Sequence, residues 1–265
     1  MAGVLLAMPM RLPSVPAGLH AKAWPPVLAT LGPGFRGALH SHHSLHFVLA
    51  IEGELRVRTR ASGRWLSAPG VLTASDAPHA VDSDGLEVLL VFLDPESEAG
   101  TAFRSVLDRP VRPLSAEERA ALVRDVVPRT ILRSCAEEWV RNAALALGVP
   151  LSAPIRMIHP RVRKLLAALR FSGVDGATSL DVLARMVNLS PSRLMHVFTA
   201  SVGIPLRPYL AWLRLQRAAT AIVNGSSMGD AAYAAGFADP AHMSRTFKRM
   251  LGVPPSVLRP MRCSQ

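Results

Sequence analysis

The sequence is poor in cysteine and in long apolar runs. Its two cysteines, Cys135 and Cys263, are too few for a disulfide framework and form no Cys-x-x-Cys pair for zinc or redox chemistry. No run approaches the roughly 20 apolar residues that a membrane-spanning helix needs. Residues 1–10 are apolar but lack the basic segment that opens a signal peptide. We therefore expect a cytoplasmic protein with no membrane partner.

Acidic residues are scarce in one part of the chain only. Residues 1–154 carry 15 basic and 15 acidic side chains, whereas residues 155–265 carry 15 basic and 4 acidic side chains. The whole net charge of +11 therefore belongs to the C-terminal part. A general enrichment in arginine would not leave the first part neutral. The asymmetry is typical of a nucleic-acid-binding domain beside a neutral domain.

The hydrophobic pattern also changes along the chain. From about Gly34 to Pro95, short apolar runs with period-2 alternation predict antiparallel strands. A capping-box sequence at Ser115 opens a helical stretch that runs to Leu147. From His159 onwards the pattern is helical throughout. We predict a domain at 1–114, a helical linker or dimerisation segment at 115–154, and a helical domain at 155–265.

The C-terminal part contains an internal repeat with an offset of 49 residues. Ser190 and Asp239 are each an N-cap residue followed by proline, and Gly203 and Gly252 are each a C-cap glycine. A shorter helix precedes each copy, and one long helix joins them; the predicted ranges are Leu180–Val187, Met228–Ala235 and Leu206–Val223. A short helix, a tight turn and a capped second helix make a helix-turn-helix unit. The sequence predicts two such units.

The second helix of such a unit lies in the major groove of DNA. The core-facing residues are predicted to be Leu194, Phe198, Met243 and Phe247. The candidate base-contacting residues are Ser192, Arg193, Met195 and His196 in the first unit and Ala241, His242 and Arg245 in the second. The candidate phosphate contacts are Arg207, Lys248 and Arg249. Arg245 is the strongest candidate for reading a guanine, because its planar fork matches O6 and N7 together.

The run from Ser179 to Arg259 resembles the DNA-binding domain of the AraC/XylS family of bacterial transcription regulators. The resemblance is carried by Leu189-Ser190-Pro191-Ser192-Arg193-Leu194, Ala235-Gly236-Phe237-Ala238-Asp239, Ser244-Arg245-Thr246-Phe247-Lys248 and Gly252-Val253-Pro254-Pro255. It implies sequence-specific binding to a double-stranded promoter site. RNA polymerase is a further expected partner, and the helices of 115–147 are candidates for homodimerisation or for packing across the domain junction. Pro240 and Ala241 stand where many relatives carry polar side chains, so the second helix is expected to rely mainly on Arg245.

Four histidines follow the spacing of a cupin domain. The pattern Gly34-x5-His40-x-His42-x3-His46-x6-Gly53 resembles the first cupin motif, with His46 where a glutamate is usual, and Pro78-His79 resembles the second. The resemblance implies a metal site at His40, His42, His46 and His79. An all-imidazole set suits Zn, Ni, Cu or Fe(II). The alternative is a domain that has lost its metal and binds a small organic effector. His43 is expected to face solvent.

The predicted fold class is two-domain α+β. An N-terminal antiparallel, cupin-like β-barrel with following helices precedes an all-α domain with two helix-turn-helix units. The expected function is transcription regulation, as activator or repressor, by a protein that is not an enzyme and whose barrel senses a small ligand or a metal. Two alternatives stay open: a metal-dependent cupin enzyme fused to a DNA-binding domain, and a non-specific nucleic-acid-binding protein.

Overall fold

The computed structural model describes residues 27–124, 136–150, 158–171, 179–223 and 225–258. Residues 27–150 form an N-terminal part that holds the strands, and residues 158–258 form a helical C-terminal part. Within these described ranges, no helix has the length and apolar character needed to cross a membrane. The predicted two-part α+β architecture is confirmed.

The strands of the N-terminal part build two antiparallel sheets. The strands are Val27–Pro33 (β1), Leu45–Ala50 (β2), Leu55–Arg58 (β3), Leu66–Ala68 (β4), Gly70–Thr73 (β5), Ala80–Asp82 (β6), Glu87–Leu93 (β7) and Val111–Leu114 (β8). One sheet has the order β1-β7-β2-β5-β8 and the other has the order β4-β3-β6. The strands of the described residues do not join into one closed sheet. The predicted barrel is therefore confirmed only as a pair of antiparallel sheets.

Strand β2 is buried along its whole length. Alternate residues of a strand point to opposite faces. Phe47 accordingly joins the core on the outer face of the five-stranded sheet, and Val48 joins the core between the two sheets. His46 shares the inner face with Val48, and its register sets it opposite Thr73 of β5 and Phe92 of β7. The sheet thus places a histidine side chain in the interior of the molecule.

Three helices cover the outer face of the five-stranded sheet. They are Glu98–Arg104 (α1), Ala116–Val123 (α2) and Ala136–Ala146 (α3). Ser115 caps α2 in the predicted capping box. Trp139 of α3 packs edge-on against Phe47 with ring centroids 5.3 Å apart, and its Nε1 donates a hydrogen bond to the carbonyl oxygen of Leu122 at 3.0 Å. The described residues of the segment predicted as a linker or dimerisation element therefore pack on their own sheet, and positions 125–135 and 151–154 of that prediction lie outside the described residues.

The C-terminal part consists of helices connected by short turns. The helices are Pro160–Phe171 (α4), Leu180–Met186 (α5), Pro191–Val202 (α6), Leu206–Val223 (α7), Met228–Ala234 (α8) and Pro240–Leu251 (α9), followed by a short 3-10 helix at Pro255–Leu258. Helix α7 has the predicted bounds. Helices α5 and α6 form one pair and helices α8 and α9 form the other, on either side of α7 along the chain.

The caps of the two pairs repeat the sequence offset in three dimensions. The Ser190 side chain accepts a hydrogen bond from the backbone N–H of Arg193, and the Asp239 side chain accepts one from the backbone N–H of His242. The C-cap glycines, Gly203 and Gly252, have φ angles of 97° and 70°. These angles lie in the left-handed region that glycine adopts at low cost. Helices α6 and α9 therefore have the start and the end that the sequence predicts.

Helix α7 contributes to two separate cores. The predicted core-facing residues are all buried: Leu194, Phe198, Met243 and Phe247. The first two pack with Tyr209 of α7, and the last two pack with Trp212 of the same helix. Burial of each large apolar side chain is worth about 1.5–3 kcal/mol. Each pair is therefore held against α7 by its own apolar cluster.

The two parts of the chain pack against each other along α7 and at the end of α9. Phe92 of β7 belongs to the same core as Trp212 and Leu215 of α7. The backbone N–H of Ala38 donates a hydrogen bond to the carbonyl oxygen of Gly252 at 3.2 Å. The sheets and the second helix pair thus share a packed junction.

Candidate DNA-binding helices and a histidine cluster at the domain junction

Helix α6 presents one polar face to solvent. The predicted contact residues on this helix are all exposed: Ser192, Arg193, Met195 and His196. They lie opposite the buried face that holds the helix on α7. The exposed face of α6 is therefore accessible to the major groove of DNA. The contacts of these residues with DNA bases stay a prediction.

Helix α9 has a similar face with more positive charge. Ala241, Arg245 and Lys248 are exposed, whereas His242 is half-buried because its ring packs edge-on against Phe237 at 5.3 Å between centroids. Among the described residues, no ion pair within 4.0 Å involves Arg245 or Lys248. Both cations are therefore available to a polyanion.

The other two predicted phosphate contacts border a crevice between the two parts of the chain. Arg207 and Arg249 are exposed, and they line this crevice together with Ser41 and Asp76. Their role on DNA stays a prediction.

The four predicted metal-binding histidines come together under the C-terminal part; we call His40, His42, His46 and His79 the histidine cluster. All four side chains are buried. The backbones of His40 and His79 exchange two hydrogen bonds of 2.9 Å. One ring nitrogen from each of His40, His42 and His79 lies within 4.8 Å of the other two. His46 stacks on Phe92 at 4.0 Å and lies 5.1 Å from His42 between ring centroids.

Backbone carbonyls fix the position of the proton on two of these rings. Nδ1 of His40 and Nδ1 of His79 each lie 2.8 Å from a carbonyl oxygen, that of Ala38 and that of Ala77 respectively. Because a carbonyl oxygen only accepts, each Nδ1 carries the proton and each Nε2 keeps its lone pair. A carbonyl oxygen that accepts the Nδ1–H in this way orients a histidine ring as a metal ligand.

Five other ring nitrogens of the cluster have no hydrogen-bond partner in the described part of the chain. Both nitrogens of His42, both of His46 and Nε2 of His79 are buried, with no hydrogen bond to the described part of the chain. An unsatisfied buried polar group costs about 1–3 kcal/mol. A cluster of this kind is stabilised by a species that binds lone pairs, and a divalent cation is one.

The cluster is neutral near pH 7. Burial lowers the pKa of His40, and it lowers the pKa of His42 and His46 well below their usual value. Burial also lowers the pKa of His79 to about 4. For the last three residues the neighbouring histidines act in the same direction. Neutral imidazole is the form that ligates a metal.

His43 behaves in the opposite way, and the expectation that it faces solvent is wrong. Its side chain is 3% exposed, with Nδ1 2.7 Å from Asp76 Oδ2 and Nε2 2.8 Å from Glu96 Oε1. Burial opposes the charge, but the hydrogen bonds to the two carboxylates outweigh it and raise the pKa of His43 to about 9. His43 is therefore a buried cation that ties the loop before β2 to the loops that hold Asp76 and Glu96.

The C-terminal part closes the histidine cluster from one side. The Trp212 ring stacks on the His42 ring at 5.3 Å and 19°. Beside them lies a cavity of about 250 Å³, to which His40 and His46 contribute. Its other walls are glycine or apolar residues and come from both parts of the chain; examples are Leu90, Phe92, Leu215 and Leu251. We call it the junction cavity.

A family comparison identifies the helical domain. Residues 183–261 match the family described as "Helix-turn-helix domain". The chain contains an AraC-type helix-turn-helix domain. The match begins within α5 and runs beyond the 3-10 helix that follows α9, so the AraC-type domain includes both helix pairs. The resemblance found in the sequence is confirmed, and with it the general function of DNA binding and transcription regulation.

The similarity to solved structures extends beyond the AraC-type domain to most of the chain. An apo variant of ToxT from Vibrio cholerae is 10% identical, with 87% of this chain and 96% of that chain covered and a TM-score of 0.57. ToxT of the same organism bound to an unsaturated fatty acid is 11% identical, with 90% and 97% covered and a TM-score of 0.55. ToxT bound to (E)-4-(8-methylnaphthalen-1-yl)but-3-enoic acid is 12% identical, with 88% and 98% covered and a TM-score of 0.57. The similarity shows that the fold of this chain resembles that of ToxT over both its N-terminal and its C-terminal part.

Proposed function

We propose that this chain is a sequence-specific transcription regulator in which α6 and α9 read successive major grooves of a double-stranded promoter site. The observation that carries the proposal is the repeated design of the two helix pairs. Each reading helix is capped, holds one buried face against α7, and leaves its other face exposed. A protein that only neutralises phosphate charge has no need of two such helices in a fixed arrangement.

Side-chain chemistry supports base reading in addition to charge attraction. Arg193 of α6 and Arg245 of α9 are both exposed, and an arginine fork binds O6 and N7 of guanine. Lys248 is suited to the phosphate backbone, which supplies affinity without sequence preference.

Selection of bound duplexes from a random pool tests the proposal. We expect one enriched site, and unrelated duplex DNA should compete for the protein at least about 1,000-fold less well than that site. Equal competition by unrelated DNA would instead identify a non-specific nucleic-acid-binding protein. Analytical ultracentrifugation of the protein bound to the selected site then decides between monomer and homodimer. Transcription in vitro with RNA polymerase decides between activation and repression.

We also propose that the histidine cluster is the sensing site and holds a divalent transition metal. The support lies in the three ring nitrogens of His40, His42 and His79 that approach one another, in their neutral state, and in the buried nitrogens that lack a partner. His46 is close enough to belong to the same site after a small shift of its ring. An all-imidazole set suits Zn, Ni, Cu or Fe(II).

Elemental analysis of the purified protein tests the metal site. We expect close to one metal ion per chain in the wild type and a strong loss in His42→Ala. His196→Ala is the matched control, because His196 is exposed on α6 and outside the cluster. Absence of metal from wild type after supply of Zn, Ni, Cu and Fe would refute the metal site.

The junction cavity gives the sensing function a second candidate ligand, a small organic effector. Its walls are largely apolar, and its volume of about 250 Å³ suits a compact apolar molecule. The ToxT structures of similar fold hold an unsaturated fatty acid in one case and a naphthalene-substituted butenoic acid in another. If apolar carboxylates raise the melting temperature of metal-free protein and Leu215→Trp abolishes this rise, the cavity rather than a metal is the sensing site.

A further inference from the structure

Two hydrogen bonds connect the end of the second reading helix to the histidine cluster. The carbonyl oxygen of Gly252, which caps α9, accepts the backbone N–H of Ala38 at 3.2 Å. The carbonyl oxygen of Ala38 in turn accepts Nδ1–H of His40 at 2.8 Å. The backbone of Ala38 is thus held by the DNA-binding domain through its N–H and orients the His40 ring through its carbonyl oxygen. The ring nitrogen that this arrangement leaves with its lone pair is Nε2, the nitrogen available to a metal in the proposed site.

The contact at Gly252 is too close for any side chain. A Cβ atom built on Gly252 would lie 2.5 Å from the carbonyl oxygen of Ala38 and 2.7 Å from Nδ1 of His40. Backbone atoms of Ala38 cannot move away without moving the peptide group that orients His40. Gly252 therefore has two roles. It ends α9 in a left-handed conformation, and its lack of a side chain allows the end of α9 to contact Ala38, which orients His40.

We infer that Gly252 is a positioning residue for the histidine cluster, and that the second helix pair and the metal site regulate each other through the Gly252–Ala38–His40 chain. The inference rests on the proposed metal site and adds its regulation. A metal that fixes His40 also restricts the two peptide groups that flank the Ala38 Cα, and thereby the backbone contact between Ala38 and the end of α9. DNA binding that moves α9 away from Ala38 would lower the affinity of the protein for the metal. The metal would then lower the affinity for that DNA site by the same factor, because coupling between two binding sites is reciprocal.

The repeat supplies a matched control for the test. Gly203 ends α6 as Gly252 ends α9, with a φ of 97°, and its N–H bonds to Thr199 just as that of Gly252 bonds to Lys248. Gly252→Ala and Gly203→Ala therefore carry the same kind of backbone strain at a helix end. Only Gly252→Ala places a methyl group against Ala38 and His40.

The measurement is the affinity of the full-length protein for Zn²⁺, determined by competition with a chromophoric chelator. Disturbance of a group that orients a metal-ligating histidine lowers metal affinity by about 10–100-fold. We expect a loss in this range for Gly252→Ala and an affinity close to that of wild type for Gly203→Ala. Equal affinities for the two variants would overturn the inference, whether both match wild type or both fall.

Hydrogen exchange at the amide of Ala38 gives a readout that needs no metal. This amide donates to Gly252, so its exchange should be faster in Gly252→Ala than in Gly203→Ala. If wild type binds no Zn²⁺, the proposed metal site fails, and the positioning contact is then decided by this exchange alone. Equal exchange in the two variants would overturn the contact even in a protein that binds Zn²⁺.

Discussion

Replacement of His42 by phenylalanine should stabilise the metal-free protein while it removes a ligand of the proposed metal site. Both ring nitrogens of His42 are buried with no hydrogen-bond partner in the described part of the chain, and each costs about 1–3 kcal/mol. The surroundings suit an aromatic hydrocarbon, since Trp212 stacks on the ring and Phe92 meets its edge at 5.4 Å. The slightly larger ring costs about 1–3 kcal/mol through overpacking. We expect a net gain of about 1–3 kcal/mol in the free energy of unfolding.

Urea unfolding of chelator-treated protein near pH 8, where free imidazole is uncharged, measures this difference. His43→Phe is the contrasting variant, because it leaves the carboxylates of Asp76 and Glu96 without their buried cation. We expect it to lose about 3–5 kcal/mol. A metal-free His42→Phe protein less stable than wild type would refute the reasoning, since it would show that the His42 nitrogens are already satisfied.

Three further predictions concern DNA reading, pH and packing. Arg245→Ala should weaken binding to the selected site by about 1–3 kcal/mol and relax the preference at one base pair, whereas Lys248→Ala should weaken binding to all duplexes alike; titrations by fluorescence anisotropy would show the difference. The pKa of His79 is about 4 when folded against 6.5 for the free side chain, so the unfolded chain takes up the proton first. The contribution of His79 to the free energy of unfolding is then complete above pH 6.5 and falls by about 3 kcal/mol toward pH 4. A free energy of unfolding of the metal-free protein that stays constant over this range would contradict the burial of His79. Phe247→Ala should cost about 3–5 kcal/mol, and an unchanged urea midpoint would show that Phe247 is not part of the core.

The helical domain was predictable because its signals are local. Residues next to one another decide where a helix starts and ends, so the bounds of α7 and the caps at Ser190 and Asp239 agree with the prediction. The spacing of Leu194 and Phe198 along one helix also predicts which face is buried. The charge asymmetry and the repeat then lead to DNA binding without knowledge of the packing.

The junction was not predictable because its contacts are distant in sequence. Asp76 and Glu96 lie 33 and 53 residues from His43, and no pattern marks them as its partners. Trp212 reads as an ordinary core residue of α7, and its position over His42 depends on how the two parts pack. The histidine spacing predicted which histidines would lie close together. That Trp212 of α7 covers them could be learned only from the structure.

Helix α7 also limits the DNA that this protein recognises. Tyr209 and Trp212 lie less than one helical turn apart on a single continuous helix, yet each belongs to the core of a different helix pair. Among the described residues, α6 and α9 are therefore both packed against one continuous helix, which fixes the angle between the two proposed reading helices. An added base pair between the two half-sites turns one half-site by about 34° relative to the other. We expect promoters bound by this protein to conserve the length of that spacer even where its sequence varies.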